Sequence, residues 1–197
     1  MYQPATPFHR IAGAAVLATG LAFFGQTATA QEIPTFEGPV MVTSMGQSLD
    51  SFQVQLVVRR VGVDFTHDAH FEPEHMLEQG AKTLILAVGA SLKGFGEAGI
   101  TVEDELARAH HFLEEAEQNE IKIIVAAIGG GEVGADDLTV QLAKDIGPHA
   151  DLLIVTEANN ADGLYTTIAD ENGIPLSVVA NLVEMLPVLQ QAFAPTG

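Results

Sequence analysis

The clearest indication of the fold is the segment Val40-Met41-Val42-Thr43-Ser44-Met45-Gly46-Gln47-Ser48-Leu49-Asp50, where a turn of small and polar residues follows an apolar run. An amphipathic pattern begins directly after it. This order predicts a strand at residues 40–42, a tight turn at residues 43–50 and the start of a helix. Because the first N–H groups of a helix are unpaired and carry partial positive charge, such a turn can hold a small anion.

Five further short apolar runs predict strands. They lie at residues 61–65, 83–88, 121–128, 152–155 and 176–179. The runs are apolar throughout instead of alternating, which is typical of strands covered on both faces by helices. With right-handed crossovers, this pattern predicts an α/β fold: a doubly wound, mostly parallel sheet of five or six strands, in a flavodoxin-like three-layer sandwich with strand order 2-1-3-4-5.

The segments between these runs have helical periodicity. Phe52 and Leu56 lie on one face of the first predicted helix. Thr101 and Asp104 have the spacing of a capping pair, which predicts the start of a later helix. A terminal helix is predicted over residues 182–193, with Pro187 kinking or restarting it.

The first thirty residues have the pattern of a secretory signal peptide. A short basic region ends at His9-Arg10, residues 11–24 are mostly apolar, and Ala28-Thr29-Ala30 has the small residues of a cleavage site. We therefore expect a periplasmic or secreted protein, with a flexible lead-in at residues 31–38 and a single α/β domain at residues 39–197. The absence of cysteine from the sequence excludes a disulfide framework.

The composition is strongly acidic. Twenty-six Asp and Glu residues against eight Lys and Arg residues give a formal net charge of −18. Long-range repulsion of this kind opposes binding to nucleic acid or to an anionic membrane surface. We predict neither nucleic acid as a partner nor membrane insertion after signal cleavage.

Four loops follow the first, third, fourth and fifth predicted strands, and they should meet at one edge of a parallel sheet. The loop at residues 89–99 has four glycines and Lys93, which together can form an anion-binding concavity. The loop after the fourth strand carries Glu132, which can bind an amine, and the fifth contributes polar groups. The predicted ligand-binding residues are Ser44, Gly46, Gln47, Ser48, Ser91, Lys93, Gly94, Gly130, Glu132 and Asn159.

Several familiar sites are not indicated. The glycine-rich loops match neither the Walker nor the dinucleotide pattern, and no nucleophile elbow or HExxH motif occurs. Residues 67–75 hold three histidines and three carboxylates, but their spacing matches no zinc motif, so a surface role is favoured over a metal site.

Three parts of the chain together resemble an uncharacterised family of exported bacterial proteins. They are Gly46-Gln47-Ser48, residues 89–99 with the pair Lys93-Gly94, and Gly129-Gly130-Gly131-Glu132. The resemblance extends from about Pro39 to about Phe193 and implies export and a single α/β domain, with no particular reaction.

Residues 45–48 also resemble the phosphate loop of flavodoxins, although Met45 occupies a hydroxyl position of that pattern. Flavin needs aromatic walls. After residue 30 the sequence has no Trp and only Tyr165 as a tyrosine, so no cofactor is predicted.

These observations predict a periplasmic binding module for a small anionic or zwitterionic metabolite, accessory to uptake or sensing, with a transporter or sensor component as its partner. The first loop and Lys93 would hold the anion, Glu132 or Asn159 would select the rest, and residues 89–99 would form a mobile closing loop. Two alternatives stay open. One is a periplasmic hydrolase or transferase that uses Lys93 and Glu132, and the other is an acidic protein-interaction domain.

Overall fold

The computed structural model describes residues 32–129 and 136–195. In these ranges the chain forms six strands and seven α-helices. The strands are β1 (Val40–Met45), β2 (Phe65–His67), β3 (Thr83–Val88), β4 (Lys122–Ala127), β5 (Leu152–Thr156) and β6 (Leu176–Val179). The helices are α1 (Asp50–Val61), α2 (Glu74–Glu78), α3 (Leu92–Ala98), α4 (Val102–Gln118), α5 (Asp136–Ile146), α6 (Leu164–Asn172) and α7 (Met185–Ala192).

The strands form one parallel sheet in the order β2-β1-β3-β4-β5-β6. This confirms the predicted α/β class and the order of the first five strands, with β6 added beside β5. The winding direction reverses between β1 and β3, which pair along their whole length from Val40 opposite Thr83 to Met45 opposite Val88. In folds of this type, the crevice at the carboxyl end of such strands is the usual ligand site.

Successive side chains of a strand point to opposite faces of the sheet, and both faces are covered by helices. The strands are therefore continuous apolar runs in the sequence. In β3, Leu84 and Leu86 enter one core cluster while Ile85 enters another. The first cluster is covered by α2, α4, α5 and α6, and the second by α1 and α7. Every residue of β3 is buried, as expected for a strand between two helical layers.

Two predicted strands have bounds that differ from the structure by three residues or more. The run at residues 61–65 is not a strand, because α1 continues to Val61 and β2 begins only at Phe65. Gly62, with φ of 85°, ends α1 in the left-handed conformation that favours glycine. In addition, β1 extends to Met45, so part of the predicted turn is buried strand.

The predicted loop at residues 89–99 contains the helix α3. Its start is capped by Ser91, whose Oγ accepts a hydrogen bond of 3.0 Å from the N–H of Gly94. Phe95 is buried and anchors the helix. The glycines therefore lie in a packed helix as well as in a turn, a result that their low helix propensity does not suggest.

The face of α1 that carries Phe52 and Leu56 is exposed, contrary to its expected amphipathic role. The helix is buried through Val54, Val57 and Val58 instead. The terminal segment begins with a short 3-10 turn at Leu182–Glu184 and continues as α7, with Pro187 in the first turn, where proline is tolerated.

The expected lead-in contains one residue of the core. Phe36 is buried, and its N–H donates a hydrogen bond of 2.8 Å to the carbonyl of Ala192. Its ring lies 6.0 Å from that of Phe193, centroid to centroid. Within residues 32–129 and 136–195, no helix is long and apolar enough to span a bilayer.

Candidate functional site

A cleft of about 340 Å³ lies at the carboxyl edge of the sheet. Residues from the ends of four strands line it, which agrees with the general position of ligand sites in doubly wound sheets. Its polar side chains are Ser48, Asp50, Gln53, Ser91, Thr139, Asn159, Asp162 and Tyr165.

Asp50 is the more buried of the two charged residues that line this cleft in the described parts of the chain. It begins α1 and is only 8% exposed. Its carboxylate accepts hydrogen bonds from the Ser48 hydroxyl and from the Gly129 N–H. Burial raises the pKa of the Asp50 carboxyl above its ordinary value, although both hydrogen bonds act in the opposite direction.

Two glycines give the Asp50 carboxylate its space. A Cβ on Gly129, after β4, would overlap the carboxylate, and a Cβ on Gly89, after β3, would lie 2.5 Å from Asp50 Oδ2. Both backbones therefore approach the carboxylate more closely than any other residue type permits. The glycines that follow β3 and β4 thus leave room for the Asp50 carboxylate beside the ends of these two strands.

Tyr165 lies in the first turn of α6, at the same cleft, and is 2% exposed. Its hydroxyl has no hydrogen-bond partner among the described residues. Burial, followed by the charges of Asp162 and Asp50, raises the pKa of Tyr165, so the hydroxyl stays protonated. Two acidic side chains are therefore close enough to influence the buried Tyr165 phenol.

Other polar groups of the cleft are held in place by the backbone. The Asn159 side-chain N–H donates a hydrogen bond of 2.9 Å to the carbonyl of Ala127, which leaves its own carbonyl oxygen as an acceptor. The Thr139 hydroxyl oxygen accepts a bond of 3.0 Å from the N–H of Ala90. These contacts fix the side chains before any ligand binds.

Gly46 and Gln47, predicted to bind an anion, hold a carboxylate of the protein itself. Glu105 of α4 is 1% exposed and accepts a hydrogen bond of 2.7 Å from the N–H of Gly46. Its other oxygen accepts a bond of 3.0 Å from the side-chain amide of Gln47. The donors of this turn are thus occupied by the carboxylate of Glu105, a residue of the protein itself.

Arg108 completes this arrangement one turn further along α4. Its guanidinium pairs with Glu105, with Nε 2.9 Å from Oε2, and it also donates to the carbonyls of Phe71 and Ser44. These contacts connect three parts of the chain: the end of β1, the segment that precedes α2, and the helix α4. We refer to Gly46, Gln47, Glu105 and Arg108 as the turn clamp.

Lys93 lies in α3 and is not among the residues that line the cleft. Its side chain is 76% exposed, and its Nζ lies 3.6 Å from a carboxylate oxygen of Glu97. Gly94, the next residue, packs against the backbone of Gln47, so that a Cβ there would overlap the Gln47 carbonyl.

Of the ten predicted ligand-binding residues, the cleft brings together Ser48, Ser91 and Asn159. Ser44 is buried in β1, and its hydroxyl donates a hydrogen bond of 3.3 Å to the carbonyl of Ser48. Gly130 and Glu132 lie outside the described residues, so their predicted roles stay predictions.

A second, larger cavity of about 500 Å³ is lined in part by Gln47, Glu105 and Arg108 of the turn clamp. His70, Glu72 and His111 line it, together with exposed parts of α4. The histidine-rich segment contributes to its rim. Among the described residues, however, no three His, Asp or Glu side chains are grouped closely enough to hold a metal ion.

Sequence analysis missed Asp50, Tyr165 and the turn clamp. Asp50 ends the same turn that predicted the site, and an acidic residue at a helix start usually serves only the helix dipole. Tyr165 had one usable signal, since it is the only tyrosine after residue 30. Glu105 has the sequence context of an ordinary charge in the first turn of a helix.

The fold and the cleft define a single-sheet, doubly wound α/β protein with a polar crevice at its carboxyl edge. The chain belongs to a family described as a domain of unknown function (DUF6305), whose model matches residues 37–193. This confirms the resemblance to an uncharacterised family. Comparison with curated proteins gave no match.

Proposed function

We propose that the protein is a small-molecule binding module that works outside the cytoplasm, as an accessory to the uptake or sensing of a polar metabolite. The Tyr165 hydroxyl supports this most, because it is buried at the cleft without a partner among the described residues. An unpaired buried hydroxyl costs stability, so its retention favours a ligand that supplies the missing hydrogen bond. The signal-like pattern of residues 1–30 supports the location.

The position of the cleft supports the same function. It lies where the winding of the sheet reverses, and its polar groups are already fixed by hydrogen bonds to Ala127, Gly129 and Ala90. Prearranged polar groups lower the cost of binding, since fewer side chains need to be ordered. A volume of about 340 Å³ suits a small metabolite.

The contacts favour a ligand that carries a positively charged group over a purely anionic one. The Gly46 N–H, expected to hold an anion, donates to Glu105, and Lys93 lies outside the cleft lining. The charged residues that do line the cleft in the described parts of the chain are Asp50 and Asp162. Their negative potential attracts a positive group and repels a carboxylate.

The proposal can be tested by a thermal-shift screen of metabolites of every charge type. A compound that binds only the folded protein raises its melting temperature. Val140 lines the cleft, so Val140→Trp should fill it, whereas Val183→Trp adds the same side chain at a position that is 66% exposed and outside the cleft lining.

We expect the shift to persist in Val183→Trp and to disappear in Val140→Trp. A compound that stabilises both variants equally would bind elsewhere and contradict the proposed site. A screen in which no compound stabilises the unmodified protein would contradict the proposed function itself.

Catalysis is a second candidate, favoured by the raised pKa of Asp50 next to a buried phenol. Carboxyl groups with perturbed pKa values are frequent among catalytic acids and bases. If the protein is an enzyme, Asp50 would act as the general acid or base, the role that was predicted for Glu132 from the sequence. Time-resolved NMR of the compounds found in the screen would separate the candidates, because an enzyme converts its ligand and a binding module returns it unchanged.

A further inference from the structure

The charge and hydrogen-bonding groups of the cleft are specific enough to indicate what part of a ligand they receive. This inference rests on the proposed function, because it assumes that the cleft is the binding site. The described residues that line it include two carboxylates, of Asp50 and Asp162, and no Lys or Arg. In a chain of net charge −18, the potential at such a cleft is strongly negative.

The Asp50 carboxylate can accept more hydrogen bonds than the described residues supply. A carboxylate offers about four lone-pair positions on its two oxygens. Two of these receive the Ser48 hydroxyl and the Gly129 N–H. Asp50 as a whole is only 8% exposed, so water has little access to it.

Two further acceptors lie in the same cleft. The Tyr165 oxygen is buried and unpaired among the described residues, and the charge of Asp50 acts on it. Asn159 keeps its carbonyl oxygen as an acceptor, because its N–H is bound to the carbonyl of Ala127. Three residues that carry acceptor oxygens, Asp50, Tyr165 and Asn159, therefore line one cleft of about 340 Å³.

We propose that the cleft binds the ammonium group of a small primary amine, with Asp50 as its counter-ion and with Tyr165 and Asn159 as hydrogen-bond acceptors. An ammonium group has three N–H donors and no acceptor, which matches a lining that offers three acceptors and, among the described residues, no Lys or Arg. The interaction with Asp50 is the strongest of the three, because both groups are charged and the site is shielded from water.

The chemistry explains why both groups are retained in spite of their cost. A buried carboxylate and an unpaired buried hydroxyl each destabilise the protein without ligand. An ammonium ion relieves both, since it neutralises Asp50 and donates to Tyr165. Ligand binding should therefore favour the ionised form of Asp50 and become weaker as the pH falls through the pKa of this carboxyl.

The test uses four compounds with the same four-carbon chain and different ends: putrescine, 4-aminobutyrate, 1,4-butanediol and succinate. Binding to the purified protein is measured by isothermal titration calorimetry at physiological ionic strength, which screens nonspecific attraction to the acidic surface. We expect putrescine to bind at least tenfold more tightly than the diol and the diacid, and 4-aminobutyrate, which has one ammonium group, to bind more tightly than the diacid.

Three variants locate the interaction. Asp50→Asn should weaken amine binding at least tenfold, and Tyr165→Phe should weaken it several-fold and serves if the first variant does not fold. Asp64→Asn removes the same charge from an exposed residue between α1 and β2, at the opposite edge of the sheet, and should leave the affinity unchanged.

The result that overturns the inference is specific. Equal binding of putrescine to the unmodified protein, Asp50→Asn and Tyr165→Phe would mean surface attraction only. Tighter binding of succinate or 1,4-butanediol, abolished by Val140→Trp, would refute the amine and leave the cleft as the ligand site. Binding of none of the four compounds would refute the amine alone if the metabolite screen finds another ligand for the cleft, and the proposed function as well if it does not.

Discussion

The carboxylate of Glu105 accepts a hydrogen bond of 2.7 Å from the backbone N–H of Gly46, a residue 59 positions earlier in the chain. This contact joins α4 to the turn after β1. Both groups are buried, so each would be left without a partner if the other were removed. The turn after β1 is therefore stabilised by α4, through a hydrogen bond to Glu105. Glu105 is not among the residues that line the cleft.

Glu105→Ala should destabilise the protein strongly. It leaves the Arg108 guanidinium without its buried counter-ion and removes the acceptor for Gly46 and Gln47. Breaking a buried pair in this way typically costs about 3–5 kcal/mol of unfolding free energy. Urea denaturation measures the loss. Glu103→Ala, at an exposed position of the same helix, should change the value by less than about 0.5 kcal/mol, and a similar effect of both substitutions would refute the structural role of the clamp.

Gly46→Ala should also be destabilising, for two reasons. Gly46 has φ of 107°, and a Cβ there would overlap the carbonyl of Gly89 and lie 2.8 Å from a methyl group of Leu142. Gly62 provides the matched control, because its φ of 85° is also positive but nothing lies within 4 Å of an added Cβ. Gly62→Ala should cost about 1–2 kcal/mol from backbone strain alone, and Gly46→Ala should cost clearly more in the same denaturation experiment.

Asp50→Asn should alter how stability depends on pH. Because the pKa of Asp50 is raised by folding, the native protein retains this proton at a pH where the unfolded chain has lost it. The contribution of Asp50 to stability therefore falls as the pH rises through the folded pKa, and Asn lacks this dependence. The variant should gain stability relative to the unmodified protein between acidic and neutral pH.

The comparison requires denaturation curves of both proteins at several pH values. A hydrogen bond lost in the variant shifts its curve by a constant, so only the pH-dependent part of the difference is diagnostic. If that difference stays constant, or changes in the opposite direction, the pKa of Asp50 is not raised by burial.

Tyr165→Phe should stabilise the ligand-free protein by about 1 kcal/mol, since it removes a buried hydroxyl that has no partner among the described residues. The control is Thr156→Val, because the Thr156 hydroxyl oxygen accepts a hydrogen bond of 3.4 Å from the N–H of Asn159. That substitution should be destabilising. Calorimetric melting of the two variants measures the contrast, and a loss of stability in Tyr165→Phe would show that its hydroxyl is satisfied within the protein.

Much of the fold could be predicted because buried parallel strands leave a plain signal in the sequence. The runs at residues 83–88 and 176–179 became β3 and β6 with the predicted bounds. The capping pair of Thr101 and Asp104 is confirmed as well, with both hydrogen bonds formed. These features are local, or depend only on burial on both faces of a sheet.

The parts that could not be predicted depend on tertiary contacts. Residues 92–98 form a helix despite two internal glycines, because Ser91 caps it and Phe95 is buried under it. Glu105 is an ordinary helix-start residue until α4 packs against the turn after β1. Likewise, no spacing in the sequence indicates that Asp50 and Tyr165 lie at the same cleft.

The most direct test is a crystal structure of the protein with putrescine bound. It should place one nitrogen of putrescine within hydrogen-bonding distance of both the Asp50 carboxylate and the Tyr165 hydroxyl. Putrescine located elsewhere, for example beside His70 and His111 in the larger cavity, with neither nitrogen near Asp50, would contradict the assignment of the cleft as an amine site.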